Sequence, residues 1–406
     1  MKKFCLYVVF VLICALMTAP ALAGEIVIYP DEFPPKTLQS VDFYSLTDVV
    51  APSNTEPTDK SPSLTGNNVT INSGLVKNVA GAVNLISGDT DPIISNEVFI
   101  KGDTVNYEVW GGIGYDCDVV GNIVTVSDGT VSYVYGGTSI SANSTGNIVI
   151  VSDGFVNWIE GGRGDFGSSS GNKVTITGGT IGGVVGGFSI GNPTPGTPSN
   201  STGNEVTITG GSVSGNVEGG RIHYGDAINN TVNISGNPAF HVNTIIRGGI
   251  STDGRDGFTG NTLNLTTSVS VWEVENFENY EFVIPASVGN GDALITVTAN
   301  PTNISGTSMD IKGIAAGSTL ANGNTITLIS NVTGAPDNIN GVPYAPDTDI
   351  VTSRGIWRFS TSTGALTATV VSLTGPVPKK GGGGGCNAFG SLGILTLAGL
   401  IFTRRW

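Results

Sequence analysis

A six-residue pattern, Gly-Asn-x-Val-Thr-Ile or a close variant, recurs eight times along the chain and constrains the fold more than any other feature. Its asparagines are Asn67, Asn96, Asn122, Asn147, Asn172, Asn204, Asn230 and Asn261. Successive asparagines lie 25 to 32 residues apart, which is too regular to result from composition. Self-similarity at a period of this length is typical of repeat architectures such as solenoids.

Every repeat has the same internal order. Val174 and Ile176 alternate with Thr175, so one face of the first strand is expected to be buried. A turn and a second apolar stretch follow, in which Val131 and Val134 are three residues apart and indicate a bend. A pair of adjacent glycines ends the unit before a loop of variable length leads to the next repeat.

This order predicts an all-β fold, a parallel β-helix or β-solenoid. A unit of this length forms one coil, whereas a sandwich would need hairpins with two-residue turns. Coils stacked about 4.8 Å apart place valine on valine and asparagine on asparagine. We expect the asparagines to form a hydrogen-bonded ladder at a corner, using their tolerance of left-handed backbone, and the glycines to allow corners that a Cβ would block.

The repeats divide the chain into segments. The solenoid is predicted for residues 66–267, after an N-terminal cap or linker at 24–65. Residues 268–374 lose the repeat but keep strand character, which indicates irregular final coils and a β-rich cap. Residues 375–385 contain glycine and proline and are typical of a flexible tether.

The N-terminus has the pattern of a secretory signal peptide. Two lysines precede a short apolar stretch, and Ala21 and Ala23 form a small-x-small cleavage pattern. We expect signal peptidase to remove residues 1–23, so that the mature chain starts at Gly24. Export follows from this prediction.

The C-terminus carries a second signal, in residues 386–406. The glycines Gly381–Gly385 are followed by Cys386 and Asn387, an apolar run to residue 402, and two arginines. The apolar run predicts a hydrophobic helix that is short for a stable membrane span but sufficient for a transient one. The arginines are expected to stay on the cytoplasmic side.

This arrangement resembles the tripartite C-terminal sorting tails that rhomboid-type proteases process, and is most similar to the variant from Synergistetes bacteria, a glycine run followed by Cys-Asn. The resemblance covers residues 381–406 only. It implies a rhomboid-type sorting protease as a partner, cleavage near Gly385 or Cys386, and transfer of the body to the cell surface. A simple C-terminal membrane anchor is the alternative.

The repeat pattern also resembles the passenger regions of autotransporters and related bacterial adhesins. That resemblance implies a right-handed β-helix. It is a resemblance of pattern, and the chain departs from that family at its C-terminus, where the sorting tail stands.

Composition narrows the function. The net charge of −14 argues against nucleic acid as a partner. Outside the two signals, Cys117 is the lone cysteine, so neither a disulfide nor a cysteine metal site is predicted for the body. No cofactor is implied.

Catalytic candidates are few. Arg221, His223, Tyr224 and Asp226 form a local cluster of the kind that polysaccharide-active β-helix enzymes use, but a solvated loop of mixed polarity is the favoured interpretation. No catalytic residue is predicted, and an enzyme of this class is kept as the alternative function.

Two short motifs resemble known binding sites. The segment Gly111–Asp116 fits the start of a calcium-binding nonapeptide, but it occurs once, whereas calcium rolls need tandem copies. The tripeptide 163–165, Arg-Gly-Asp, is expected on an exposed loop, and we interpret it as coincidence. No metal site is predicted.

Aromatic residues recur before the glycine pairs, and neighbouring coils are expected to stack them: Trp110, Tyr133, Tyr135 and Trp158. Support of the strand ladder is the favoured role, and sugar binding the alternative. The sequence as a whole predicts a non-enzymatic cell-surface solenoid with an adhesive or structural role, whose candidate ligands are surface glycans or host proteins.

Overall fold

The structure is a computed structural model. It describes residues 64–373, except for 72, 86, 103, 193–198, 353 and 362–363, and the backbone of three earlier strands. The predicted signal peptide, tether and sorting tail lie outside the described residues, as does the predicted C-terminal helix. Every described element is a strand or a turn, and the prediction of an all-β solenoid is confirmed, with about ten coils. The hand of the solenoid stays a prediction.

Sheet 1 is formed by the strands that follow the repeated asparagines. Neighbouring strands pair in parallel, apart from the last pair, which is antiparallel. In order these strands are Thr37–Leu38, Asn68–Ile71, Glu97–Ile100, Ile123–Val126, Ile148–Val151, Lys173–Ile176, Glu205–Ile208, Thr231–Ile234, Thr262–Leu265, Asn279–Ile284, Ser308–Ile314, Asn338–Ile339 and Val342–Pro343.

Sheet 2 contains the second strand of each coil and the short strand beyond the glycine pair. The second strands, two of which are divided into two pieces, are Asp42–Val50, Ser73–Ala80, Thr104–Trp110, Thr130–Tyr135, Phe155–Glu160, Thr180–Ser189, Ser212–Val213 with Val217–Ile222, Ala239–Phe240 with Ile245–Ser251, and Glu273–Glu275. The short strands are Ser53–Asn54, Val83–Asn84, Ile113–Gly114, Thr138–Ser139 and Arg163–Gly164. In later coils the second strand continues through the glycine pair, so the short strand beyond it is part of the same strand.

Sheet 3 closes each coil before the next asparagine. Its strands are Ile93–Ile94, Val119–Val120, Ser144–Thr145, Ser169–Ser170, Ser199–Thr202 and Gly225–Ile228. A coil therefore passes from sheet 1 through sheet 2 to sheet 3 and returns to sheet 1 one level further along.

The register places like residues on like residues. Val124 lies between Val98 and Val149 in neighbouring coils, and all three are fully buried. The intervening residues of the same strands point outward, as the alternation predicts. Burying each such side chain contributes about 1.5–3 kcal/mol, so the valine stack is a main source of stability.

The predicted bend in the second strand is an irregularity in pairing. Val131 and Val134 are both buried, and the register against the preceding coil shifts between Val131 and Tyr133. A bulge of this kind lets two residues three apart point to the same side.

The segment assigned to an N-terminal cap contains pairing like that of the later coils. Thr37–Leu38 pairs in parallel with the first repeat strand of sheet 1, Asp42–Val50 pairs with Ser73–Ala80, and Ser53–Asn54 pairs with Val83–Asn84. These strands cover the edge that the first repeat would otherwise expose.

The described residues between 268 and 373 continue the solenoid and then close it. A fourth sheet begins with the parallel strands Val269–Val271, Ala293–Val297 and Thr325–Ile329, and it ends with the antiparallel strands Leu366–Leu373, Gly355–Ser360 and Asp349–Thr352. A small fifth sheet pairs Thr302–Asn303 with Val332–Thr333. Trp357 and Phe359 are fully buried in the antiparallel part, which covers the apolar end of the core.

Candidate functional site

The predicted processing residues lie outside the described residues. These are Ala21, Ala23 and Gly24 at the first cleavage site and Gly385 and Cys386 at the second. Their roles stay predictions. The described part of the chain instead offers an internal asparagine ladder and an outer polar and aromatic surface.

The repeated asparagines form a continuous ladder inside the solenoid. The backbone nitrogen and Nδ2 of Asn147 both donate to Oδ1 of Asn172, at 2.9 and 3.1 Å. Asn122 makes the same pair of bonds to Asn147, each 3.0 Å long. Nδ2 of Asn147 also donates to the carbonyl oxygen of Val119 and to Ser144 Oγ, both at 3.0 Å. All eight asparagines are almost completely buried, so the bonds offset the cost of burying their amides.

The left-handed backbone lies one residue before the asparagine, so the expectation that the asparagine itself adopts it is wrong. Gly121, Gly146 and Gly171 have φ values of 63°, 64° and 63°. Asn229 takes the same role with φ of 57°. The turn therefore depends on the glycine of the Gly-Asn pair, which leaves the asparagine free to use its side chain in the ladder.

The glycine pairs are needed for space. A Cβ on Gly137 would lie 2.6 Å from Oδ1 of Asn147, and a Cβ on Gly136 would collide with the carbonyl oxygen of Gly161. None of these glycines has a positive φ. The asparagine ladder therefore packs directly against the glycine pairs. This contact explains why the Gly-Asn pattern and the glycine pair recur together in the sequence.

The ladder ends at Asn261, although the coils continue. Thr262 pairs with Asn279, so Phe277 and Glu278 take the places of Gly260 and Asn261. One coil later Gly306 and Thr307 occupy these two positions. The coils continue there with other residues at the asparagine position, so the asparagine pattern does not reveal them.

The outer surface of sheet 2 holds buried charged groups, which we name the outer cluster: Glu160, Arg163, Glu218, Arg221 and Arg247. The side chains of Glu160 and Glu218 are 4% and 0% exposed, although both follow core residues and point away from the core. They are covered because the residues before and after each glycine pair pack against each other across the bend.

Glu160 is held from two sides. Its Oε1 accepts a 3.0 Å hydrogen bond from Trp158 Nε1, and its Oε2 lies 3.6 Å from Arg163 Nη1. Burial raises the pKa of Glu160, and the nearby Arg163 opposes that rise in part. The guanidinium group of Arg163 also lies over the ring of Phe188, at 4.8 Å from its centroid.

Glu218 anchors two arginines from neighbouring coils. Its Oε1 lies 2.5 Å from Arg221 Nη2 and 3.4 Å from Arg247 Nη1. Arg247 also pairs with Glu275, and Arg221 lies over the ring of Trp158. Both arginines are partly exposed, so the buried carboxylate fixes two cationic groups at the surface.

Aromatic side chains line the same surface on the N-terminal side of the cluster. The rings of Trp110 and Tyr135 stack across a coil boundary, with centroids 6.1 Å apart and planes within 15°. Tyr133 stacks on Tyr135 within one strand, at 6.4 Å. Trp158 follows Tyr133 in register, and its ring lies over Gly183 of the next coil.

The structure places two of the four catalytic candidates on the same face. Arg221 and His223 share the outer face, where the ring of His223 meets the edge of Phe188. His223 Nδ1 lies 2.9 Å from Thr252 Oγ1. Tyr224 is exposed, and Asp226 accepts a bond from the backbone nitrogen of residue 256. The nearest acid of this face, Glu218, is buried beneath arginines and does not point freely into solvent.

The two short motifs have structural roles. Asp116 accepts a 2.8 Å hydrogen bond from the backbone nitrogen of Gly88. The expectation of an exposed Arg-Gly-Asp loop is wrong, because Arg163–Gly164 is a strand and Arg163 Nε donates to Asp165 Oδ1 at 2.8 Å. The two charged side chains bind each other and are 28% and 17% exposed.

A shallow polar cavity of about 300 Å³ lies near the C-terminal end of the outer cluster. It is lined by Phe258, Glu273, Val274, Glu275, Asn276, Pro301, Asn303 and Ser305. Within the described ranges, no three His, Cys, Asp or Glu side chains are grouped to hold a metal ion. None of the described elements is a helix long and apolar enough to cross a membrane.

Comparisons with known proteins leave the site to be interpreted from its own geometry. No family model matches the chain, and no curated protein or solved structure matches it.

Proposed function

We propose that the chain is an exported cell-surface protein whose β-solenoid has an adhesive or structural role. The observation that carries the proposal is the solenoid itself, an uninterrupted stack of coils with one continuous core. Along sheet 1 the parallel strands span about 50 Å at 4.8 Å per step. A rod of this kind displays an extended surface and holds it rigidly, as repeat proteins that bind partners do.

Delivery to the surface is part of the proposal and is supported by the sequence of the two ends. Signal peptidase would cut after Ala23, and a rhomboid-type protease would cut near Gly385 or Cys386. The body between them would then leave the inner membrane and be retained at the cell surface. The acidic net charge of −14 suits a soluble exterior domain and opposes binding to anionic lipid.

Intact mass and fractionation of the native protein from its own cells test this proposal. The expected result is a surface-located species that begins at Gly24 and ends near Gly385 or Cys386. A species that keeps Trp406 and stays in the inner membrane would contradict surface delivery. It would leave an anchored solenoid inside the envelope.

A polysaccharide-active β-helix enzyme is the alternative, favoured by the shared outer face of Arg221 and His223. The purified body incubated with polysaccharides distinguishes the two functions. The adhesive function predicts binding without new reducing or unsaturated ends. Release of such ends, lost in His223→Ala and kept in His241→Ala, would establish the enzyme.

A further inference from the structure

Three large aromatic side chains stand exposed on neighbouring coils of sheet 2. In the described part of the chain, Tyr107, Tyr133 and Phe155 are 56%, 39% and 41% exposed. Half-buried Trp110 and Trp158 lie beside them on the same strands. We name these five residues the aromatic platform.

Contacts with neighbouring side chains hold three of the five rings of the platform. Trp110 and Tyr133 both stack on the buried ring of Tyr135, which fixes their planes. On the C-terminal side, Trp158 covers Gly183, where the next coil has no side chain. A ligand that lies on these rings would meet a preformed surface and would cost little ordering of the protein.

Polar and charged groups border the rings. Glu108 pairs in register with Tyr133, and burial raises the pKa of its carboxyl group. The exposed Asn157 lies between Phe155 and Trp158. On the C-terminal side, the carboxylate of Glu160 is matched by Arg163. The acidic groups beside the rings thus include Glu108 and Glu160, which disfavours an anionic ligand.

The exposed aromatic area is small. Aromatic side chains have about 150–250 Å² of surface each, so the exposed fractions give on the order of 300 Å². A stable protein interface needs about 800 Å² from each partner. The aromatic area is thus enough for a few rings of a small or linear ligand but is less than half of what a folded protein partner would bury.

From these observations we propose that the aromatic platform binds a neutral glycan, with the flat faces of its pyranose rings stacked on Tyr107, Tyr133 and Phe155. Sugar rings combine an apolar face with hydroxyl groups at their edges. The apolar face fits the aromatic rings, while the hydroxyls reach the carboxylate of Glu108 and the amide of Asn157. This proposal rests on the adhesive function proposed above and names its ligand class.

An anionic glycan fits less well. Arg163, which borders the platform, is already engaged by Glu160 and Asp165. The net charge of −14 on the chain adds long-range repulsion of a polyanion. Neutral chains with equatorial linkages are extended and present flat ring faces, which suits aromatic residues repeated from coil to coil.

Isothermal titration of the purified body with cellohexaose, chitohexaose and hexagalacturonate tests the proposal. At least one of the two neutral hexasaccharides is expected to bind, and hexagalacturonate to bind at least about tenfold more weakly. The variant Tyr107→Ala/Tyr133→Ala/Phe155→Ala should lose about tenfold or more in affinity. The matched control Phe99→Ala, which removes a half-buried aromatic from the outer face of sheet 1, should bind as the wild type does.

Because the three replaced side chains lie on the outer face and outside the buried core, the triple variant should keep the circular dichroism spectrum of the wild type and a cooperative unfolding transition. Failure of both neutral hexasaccharides to bind would overturn the proposal. Equal binding by the triple variant, or stronger binding of hexagalacturonate, would overturn it too. This outcome is independent of localisation: a surface-located protein that binds no glycan refutes the platform alone, and a glycan-binding protein retained in the inner membrane refutes surface delivery alone.

Discussion

Nδ2 of Asn147 donates to Oδ1 of Asn172 over 3.1 Å, and this bond joins two residues that are 25 positions apart in the chain but adjacent along the solenoid. The same bond recurs at each coil boundary from Asn67 to Asn261. Since each amide has its partners only when neighbouring coils are in register, the ladder selects one stacking arrangement. The valine stack supplies stability but is less selective, because Val, Ile and Leu can replace one another in it.

Asn147→Ala should destabilise the solenoid strongly. The substitution removes the acceptor for two buried donors of Asn122, and each unsatisfied group costs about 1–3 kcal/mol. We expect a loss of about 2–4 kcal/mol in the free energy of unfolding, measured by guanidinium titration. The exposed Asn157→Ala is the control and should change stability by less than about 0.5 kcal/mol. Equal effects of the two substitutions would show that the ladder does not stabilise the fold.

Gly137→Ala should also destabilise, for a steric reason. The new methyl group would lie 2.6 Å from Oδ1 of Asn147, so the ladder would have to shift, at a cost of about 1–3 kcal/mol or more. In the control Gly313→Ala, the nearest side-chain atom is 3.6 Å away and the backbone does not need glycine. That control should be neutral or slightly stabilising in thermal unfolding. A neutral Gly137→Ala would contradict the packing of the ladder against the glycine pairs.

Much of the fold was predictable because the repeats can be aligned with one another within the single sequence. The period, the buried face of each first strand and the stacking of like residues all followed from the spacing of Asn122, Asn147 and Asn172. The final coils were harder to recognise, because Glu278 and Thr307 stand in the register position of the asparagine while the strands keep their parallel pairing.

The candidate site was less predictable for a different reason. Arg163, Arg221 and Arg247 come from three different coils. Their contacts with Glu160 and Glu218 depend on a bend that places outward-pointing residues against one another. The sequence identified the aromatic residues before the glycine pairs but not the carboxylates buried among them. The Glu residue immediately before a glycine pair was the available signal, at Glu160 and Glu218.

The raised pKa of Glu160 makes stability depend on pH. The folded protein binds the proton of this group more tightly than the unfolded chain does, since burial disfavours the carboxylate. Its contribution to the free energy of unfolding therefore falls as pH rises above the ordinary glutamate pKa of about 4.3. Glu160→Gln cannot ionise and should gain stability relative to the wild type as pH increases from 4 towards 7, measured by chemical denaturation. A difference that is constant over this range would contradict the assignment.

Cys117 should be protected from thiol reagents in the folded protein. Its side chain is 1% exposed, and burial, helped by nearby Asp89 and Asp118, raises the pKa of the thiol to about 11. At pH 8 iodoacetamide should therefore leave Cys117 unmodified until guanidinium unfolds the solenoid. Peptide mapping by mass spectrometry identifies the modified cysteine. Rapid modification under native conditions would show that this part of the coil opens readily.

The parallel register of neighbouring coils is the central structural claim, and a pair of engineered cysteines tests it most directly. Thr125 and Ile150 are register partners on the outer face of sheet 1, whereas Thr125 and Thr175 are two coils apart. Neighbouring strands lie about 4.8 Å apart, within the range of a disulfide, and the second pair is about twice as far. Mild oxidation should cross-link Thr125→Cys/Ile150→Cys almost completely and leave Thr125→Cys/Thr175→Cys reduced, as read by peptide mapping. A reduced first pair, or equal cross-linking of both, would contradict the solenoid register described above.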